Sequence, residues 1–330
     1  MGETDSFLPS STFLSLSDAP PITGLTFRLF RGEADIPALQ AVRQQVKAVD
    51  GNIWLPGPDT ISEPTCNPLQ DCLIAEVDSK MIGYTWLDWW SEADGTQLYL
   101  HLGWLVPEWR RKGIGWAILH WQEQRLRQIA STHQAPGPFV FGGNADETQP
   151  GNRALLLSEG YQVAFTRVEM VCQLPITPIQ VASLPDGLIV RPVEAEQLLA
   201  IYTANNEAFQ ESRHGHVSDN YEDFLRELHW PQTDLSLWVV AWDGDQVAGL
   251  VINEIDKAGG HTPWVAVRKP WRRRGLGRAL MTRSLQLFQE RRVQQAELVT
   301  IAENPGKSVH LYESVGYRIV KRQPRYRKPM

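Results

Sequence analysis

A chain of 330 residues has room for two ordinary domains, each large enough to bury a core without disulfide or metal staples. Hydrophobic residues at 42% and charged residues at 21% exclude a disordered chain, and no run approaches the ~18 apolar residues that span a bilayer. The net charge of −6 divides unevenly: residues 1–174 hold 12 Lys+Arg against 20 Asp+Glu and residues 175–330 hold 20 against 18, and the basic residues bunch at 110–112, 268–274 and the C-terminal tail instead of covering a face, which argues against nucleic acid and for small anionic ligands.

In chain order, residues 1–22 form an acidic extension broken by Pro9 and do not read as a secretory signal. Apolar patterning then predicts a strand at 25–30, a helix at 33–48, strands at 72–77, 81–89 and 97–105, a helix at 113–131, a strand at 138–143, a helix at 151–158 and a strand at 161–171. Residues 175–187 hold three prolines and a closing glycine and read as a linker. Beyond it come a strand at 188–191, helices at 194–209 and 218–230, and strands at 237–242 and 246–254 around the turn signal Asp243-Gly244. A strand at 264–267, a helix at 275–291 with Leu276, Leu280, Leu285 and Phe288 on one face, and a strand at 296–301 follow. Asn304-Pro305 is placed to cap a short helix to about Val315, and a last strand begins at 317–321. The fold class is mixed α/β with a mixed sheet, because hairpins stand among the helices.

The two series are one pattern written twice. Arg110-Arg-Lys112-Gly113-Ile-Gly115 returns as Arg272-Arg273-Arg274-Gly275-Leu276-Gly277, and Gly160-Tyr161 returns as Gly316-Tyr317. Domains are therefore expected at 23–174 and 188–330. Three cysteines, Cys66, Cys72 and Cys172, lack metal-ligand spacing and cannot all pair, so a cytoplasmic protein without a metal is expected.

Each basic loop lies between a strand and an amphipathic helix. Glycines there let backbone N–H groups reach an anion at the positive end of the helix dipole, and flanking cations suit a pyrophosphate. No Gly-Lys-Ser/Thr follows, so this is not a Walker loop, and Gly-x-Gly-x-x-Gly is absent, so it is not the dinucleotide fingerprint.

Both loops resemble the acyl-CoA loop of the GCN5-related N-acetyltransferase (GNAT) superfamily, Arg/Gln-x-x-Gly-x-Gly/Ala. The stretch from Asn304 through Ser308, Leu311-Tyr312 and Gly316-Tyr317 resembles that family's late motif. The resemblance covers nearly all the chain after residue 23 and is to tandem-domain members. It implies two GNAT domains, each a splayed mixed sheet flanked by helices, with acetyl-CoA as cofactor. By that resemblance Arg272, Arg273, Arg274, Gly275, Leu276 and Gly277 hold the pyrophosphate, and Val265 and Val267 offer backbone to pantetheine. Asn304 contacts the cofactor, and Tyr312 is the general acid for the leaving thiolate. In the first domain Leu105, Arg110, Lys112, Gly113 and Gly115 stand at the cofactor positions, but Leu156 falls where Tyr312 stands. That copy is expected to be non-catalytic or weakly catalytic.

Direct transfer also needs a group to take the amine proton. Glu254 and His261 are the candidates. Phe209, His214 and His216 lie in the stretch that lines the acceptor pocket in the family. The expected activity is acetyl transfer from acetyl-CoA to a primary amine of a small molecule, in a protein that works as a monomer or homodimer with no nucleic-acid or membrane partner. The alternative is a non-catalytic acyl-CoA-binding sensor.

Overall fold

The computed structural model of the chain describes residues 13–92, 94–209, 220–229, 233–304 and 306–330. Two compact units emerge, one made of residues 1–164 with 324–330, the other of residues 165–323.

The first unit starts with β1 (Phe13–Leu14) and β2 (Leu25–Leu29), then α1 (Ile36–Asp50) and a short α2 (Pro68–Asp71). Three strands follow, β3 (Leu73–Val77), β4 (Lys80–Ser91) and β5 (Gln97–Leu105), then α3 (Ile114–Ala130), β6 (Phe139–Asn144) and α4 (Pro150–Ser158). Every residue of β3 and all of Met81–Leu87 in β4 are buried, so these strands read as continuous apolar runs and not as alternation. Neighbours are antiparallel except β5 and β6, which run parallel across the α3 crossover.

The second unit repeats the plan. It comprises β8 (Ile189–Val190), α5 (Leu198–Phe209), α6 (Tyr221–Glu227), β9 (Val239–Asp243), β10 (Gln246–Ile255), β11 (Gly260–Val267), α7 (Leu276–Glu290), β12 (Gln295–Ile301) and α8 (Ser308–Ser314). The hairpin at Asp243 forms as the turn signal predicts, with Asp243 opposite Gln246 and Gly244 at φ 56°. Here β11 and β12 are the parallel pair. On α7, Leu276, Leu280, Leu285 and Phe288 are fully buried on one face, each contributing about 1.5–3 kcal/mol relative to exposure.

The last strand of each half leaves the sheet of its own half. β7 (Gln162–Gln173) pairs antiparallel with β12 from Arg167 opposite Ile301 to Gln173 opposite Gln295. The end of β13 (Arg318–Pro329) pairs with β6 from Arg325 opposite Asn144 to Pro329 opposite Val140. Residues 167–173 thus complete the second unit and 324–330 the first, an exchange that the internal repeat does not display.

Local differences have local causes. The helix expected over 218–230 runs only from Tyr221 to Glu227, capped by the Asn220 side chain, which accepts from the Asp223 N–H. Asn304 does not cap α8. Its Oδ1 accepts from the Gly306 N–H, Lys307 takes a left-handed φ of 55°, and the helix begins at Ser308. Among the described residues, no helix is long and apolar enough to cross a membrane.

Candidate functional site

Each sheet opens at its parallel pair. β5 pairs with β6 from Gln97 to Leu100 and then continues to Leu105 without that partner. β11 pairs with β12 at Gly260 and His261 and continues unpaired with it to Val267. The basic loop follows the free end in both units. The loops share a backbone: Arg111 and Gly113 have φ of 59° and 86°, and Arg273 and Gly275 have 61° and 84°. Alternation into the left-handed region turns successive N–H groups toward one point, and Gly113 and Gly275 cap α3 and α7 with no side-chain acceptor. First-turn N–H groups have no intrahelical partner, so each loop is a concave donor cluster at a positive helix end.

The arginines divide their work. Arg110 Nε donates to the Leu105 carbonyl at 2.9 Å, and its guanidinium grips the buried Asp50 carboxylate at 2.6 and 3.0 Å. Arg272 Nε donates to the Val267 carbonyl at 2.8 Å, and its Nη2 to Ala208. These side chains tie the loop back to the strand end and occupy the carbonyls of Leu105 and Val267. Arg111, Lys112, Arg273 and Arg274 are exposed beside the donor cluster, with Lys112 Nζ 4.4 Å from the centre of the Trp109 ring.

The helix after the split is placed alike in both units. The Leu155 side chain lies 3.5 Å from where a Gly115 Cβ would stand, and the Leu311 side chain 3.2 Å from where a Gly277 Cβ would stand. The neighbours Leu156 and Tyr312 are therefore structural equivalents. In the first unit the split is an open cavity of 690 Å³ walled by Leu102, Trp104, Leu119 and Leu156, with Arg111, Gly113 and Gly115 at one side and His101 among its lining residues. Tyr312 is buried beside Tyr317, ring centres 6.1 Å apart, and burial raises its phenol well above the ordinary value, so it stays protonated.

The remaining predicted residues are dispersed. Asn304 lines a second hollow, of 220 Å³, with Lys307, His310 and Arg322. Glu254 and His261 face each other across β10 and β11. His261 is bonded at Nδ1 to Glu297, 2.7 Å, and at Nε2 to Asp256, 3.0 Å, so neither ring nitrogen is open to a substrate. Val265 is half-buried on the free stretch of β11, and Phe209 closes α5 against the apolar cluster of α5, α6 and β10. His214 and His216 lie outside the described residues. No group of three metal-ligating side chains occurs among the described residues.

The sequence model of the acetyltransferase (GNAT) family matches residues 40–134 and again 198–317. The chain belongs to that family. Both matches place a GNAT region in each repeat, so this is a tandem GNAT acetyltransferase. It is 25% identical over 257 residues to a mycothiol acetyltransferase of Geodermatophilus obscurus, covering 75% of this chain and 79% of that one. Its fold is similar to a GCN5-related N-acetyltransferase from Sphaerobacter thermophilus, with a TM-score of 0.71 at 22% identity over 92% of this chain and 95% of the other. It is also similar to a tandem GNAT protein from the clavulanic acid biosynthesis pathway, with a TM-score of 0.59 at 15% identity, covering 92% and 98% of the two chains.

Asp50 and His101 escaped the sequence reading. Asp50 ends a helix far in sequence from Arg110, so nothing local pairs them. His101 left one usable trace: it is the polar residue in Leu98-Tyr-Leu-His-Leu, a strand otherwise apolar on both faces.

Proposed function

We propose that this acetyltransferase moves an acetyl group from acetyl-CoA to a primary amine of a small molecule, with both bound at once. The observation that carries this is the duplicated donor cluster, Arg111–Gly115 and Arg273–Gly277, each at the mouth of a splayed parallel pair. The clusters take the pyrophosphate, with Arg111, Lys112, Arg273 and Arg274 supplying charge. The free strand ends beyond Leu100 and His261 receive pantetheine as an added strand. In the second unit Tyr312 protonates the departing CoA thiolate, since its phenol is held protonated. Glu254 and Phe209 border the acceptor side. His261 serves there only if substrate displaces Asp256 or Glu297.

Screening primary amines by release of CoA thiol tests the reading. Turnover with at least one amine above the uncatalysed rate is expected. Saturable acetyl-CoA binding with no turnover for any amine supports the sensor reading, which the cavity in the unit bearing Leu156 favours.

A further inference from the structure

Five ionisable side chains converge behind the first unit's cavity. Lys328 Nζ, from β13, donates to Glu123 Oε1 at 2.7 Å. The Tyr161 hydroxyl donates to the same oxygen at 2.9 Å, and Arg127 holds Oε2 at 3.1 Å. His101 Nε2 lies 2.6 Å from the Tyr161 hydroxyl. His101, Glu123 and Tyr161 are all buried. Burying these groups costs free energy unless each is paired, and here each is.

The chain of bonds has one direction. An ionised carboxylate only accepts, and burial does not prevent ionisation here because Lys328 and Tyr161 hold the Glu123 carboxyl below its ordinary value. Burial also raises the Tyr161 phenol, so it keeps its proton and donates a hydrogen bond to Glu123. The phenol oxygen must then accept from His101 Nε2–H. This fixes the tautomer and leaves the Nδ1 lone pair free. Burial pushes the His101 imidazolium down to about 4, so the ring is neutral near pH 7. His101 lines the cavity, and its Cε1 comes 3.5 Å from where a Cβ on Gly143 of β6 would stand, across the split. The second unit lacks the arrangement: at the 162-residue offset of the two loops, Pro263 and Leu285 stand in place of His101 and Glu123.

We propose that the first unit is a second acyl-transfer site, in which His101 Nδ1, oriented by Tyr161, Glu123 and Lys328, shuttles the proton from the attacking amine to the CoA sulfur. The proposal rests on the acetyl-CoA reading above. The amine nitrogen attacks the thioester carbonyl carbon, and the carbonyl electron pair moves to oxygen. The nitrogen, now cationic, gives its proton to Nδ1. As the oxyanion collapses the C–S bond breaks, and Nδ1–H protonates the leaving thiolate. Amide and CoA thiol leave, and His101 is neutral again. One group moves the proton both ways, so no phenol is required at Leu156. Lining of Leu102, Trp104, Leu119 and Leu156 suits an acyl-pantetheine arm and a small, largely apolar amine.

The test uses the full chain with Gly275→Glu, which blocks the second loop, and benzylamine as the probe amine, with release counted above the enzyme-free rate. Thiol release from acetyl-CoA should persist. Adding His101→Gln should reduce it about 10²-fold while acetyl-CoA affinity, measured by calorimetry, stays within about twofold. Nitrogen-15 NMR of the imidazoles in the unsubstituted protein should show His101 protonated at Nε2 and bare at Nδ1 at neutral pH, a readout that needs no variant to fold. Acetyl-CoA binding with no release in Gly275→Glu, release unchanged by His101→Gln, or an Nδ1–H tautomer would each overturn the proposal and leave the acetyltransferase reading standing. Failure of the chain to bind acetyl-CoA at all would remove both.

Discussion

At the scale of single residues, the loop arginines are not equivalent. Arg110 supports the loop from behind, with its guanidinium on a carboxylate that is almost wholly buried. Removing one partner of such a pair leaves an uncompensated charge, so Arg110→Ala is expected to destabilise the first unit by about 3–5 kcal/mol, read by chemical denaturation. Arg111→Ala, exposed at the cavity mouth, should change stability by no more than about 0.5 kcal/mol yet weaken acetyl-CoA binding. Tyr312→Phe keeps the buried ring and removes only the proton donor. It should lower kcat more than KM in steady-state assays, and an unaltered kcat would remove it as the acid. The glycines and arginines of the loops were legible because an anion cradle needs local residue types at fixed spacing. The Arg110–Asp50 pair and the His101 chain were not, because their partners come from distant segments.

At the scale of elements, the segment before β2 lies on the first loop. Pro20 packs 3.3 Å from where a Cβ on Gly113 would stand, and His120 on α3 bridges Asp18 at 2.8 Å and Glu159 at 2.9 Å. Burial alone would lower the His120 value, but the two carboxylates outweigh it and the net shift is upward. A raised folded value means that the tether is fully present below the ordinary histidine value and is lost as pH rises through the folded one. Amide exchange at Ala19 and Ile22, corrected for intrinsic rates, should therefore quicken as pH rises above the ordinary histidine value of about 6.5 and through the raised folded one. No change across that range would show that the histidine does not hold the segment. Elements themselves were largely legible, since α3, α7 and the strands before them carry strong apolar periods. The start of α8 was missed because Asn304 bonds Gly306 in a turn of its own.

At the scale of the whole molecule, each unit is completed by a segment from the other half of the sequence. Tyr326 is fully buried in the first core, and Arg327 and Lys328 pair with Glu92 and Glu123. Part of the charge imbalance between the halves has its explanation here, because Arg325, Arg327 and Lys328 of the basic tail belong to the acidic unit. Periodicity alone could not reveal this, for it marks a strand without naming its partner. Fragments 1–174 and 175–330 made separately should each lack a closing strand and melt well below the intact chain in circular dichroism. Two fragments that fold independently at the intact melting temperature would contradict the exchange. The duplicated anion cradle is the centre of the account, and calorimetric titration of the intact chain with acetyl-CoA tests it most directly. Saturable binding is predicted, weakened about 100-fold or more when Gly113→Glu and Gly275→Glu are combined, a loss of about 2.7 kcal/mol; affinity unchanged in that double variant would contradict it.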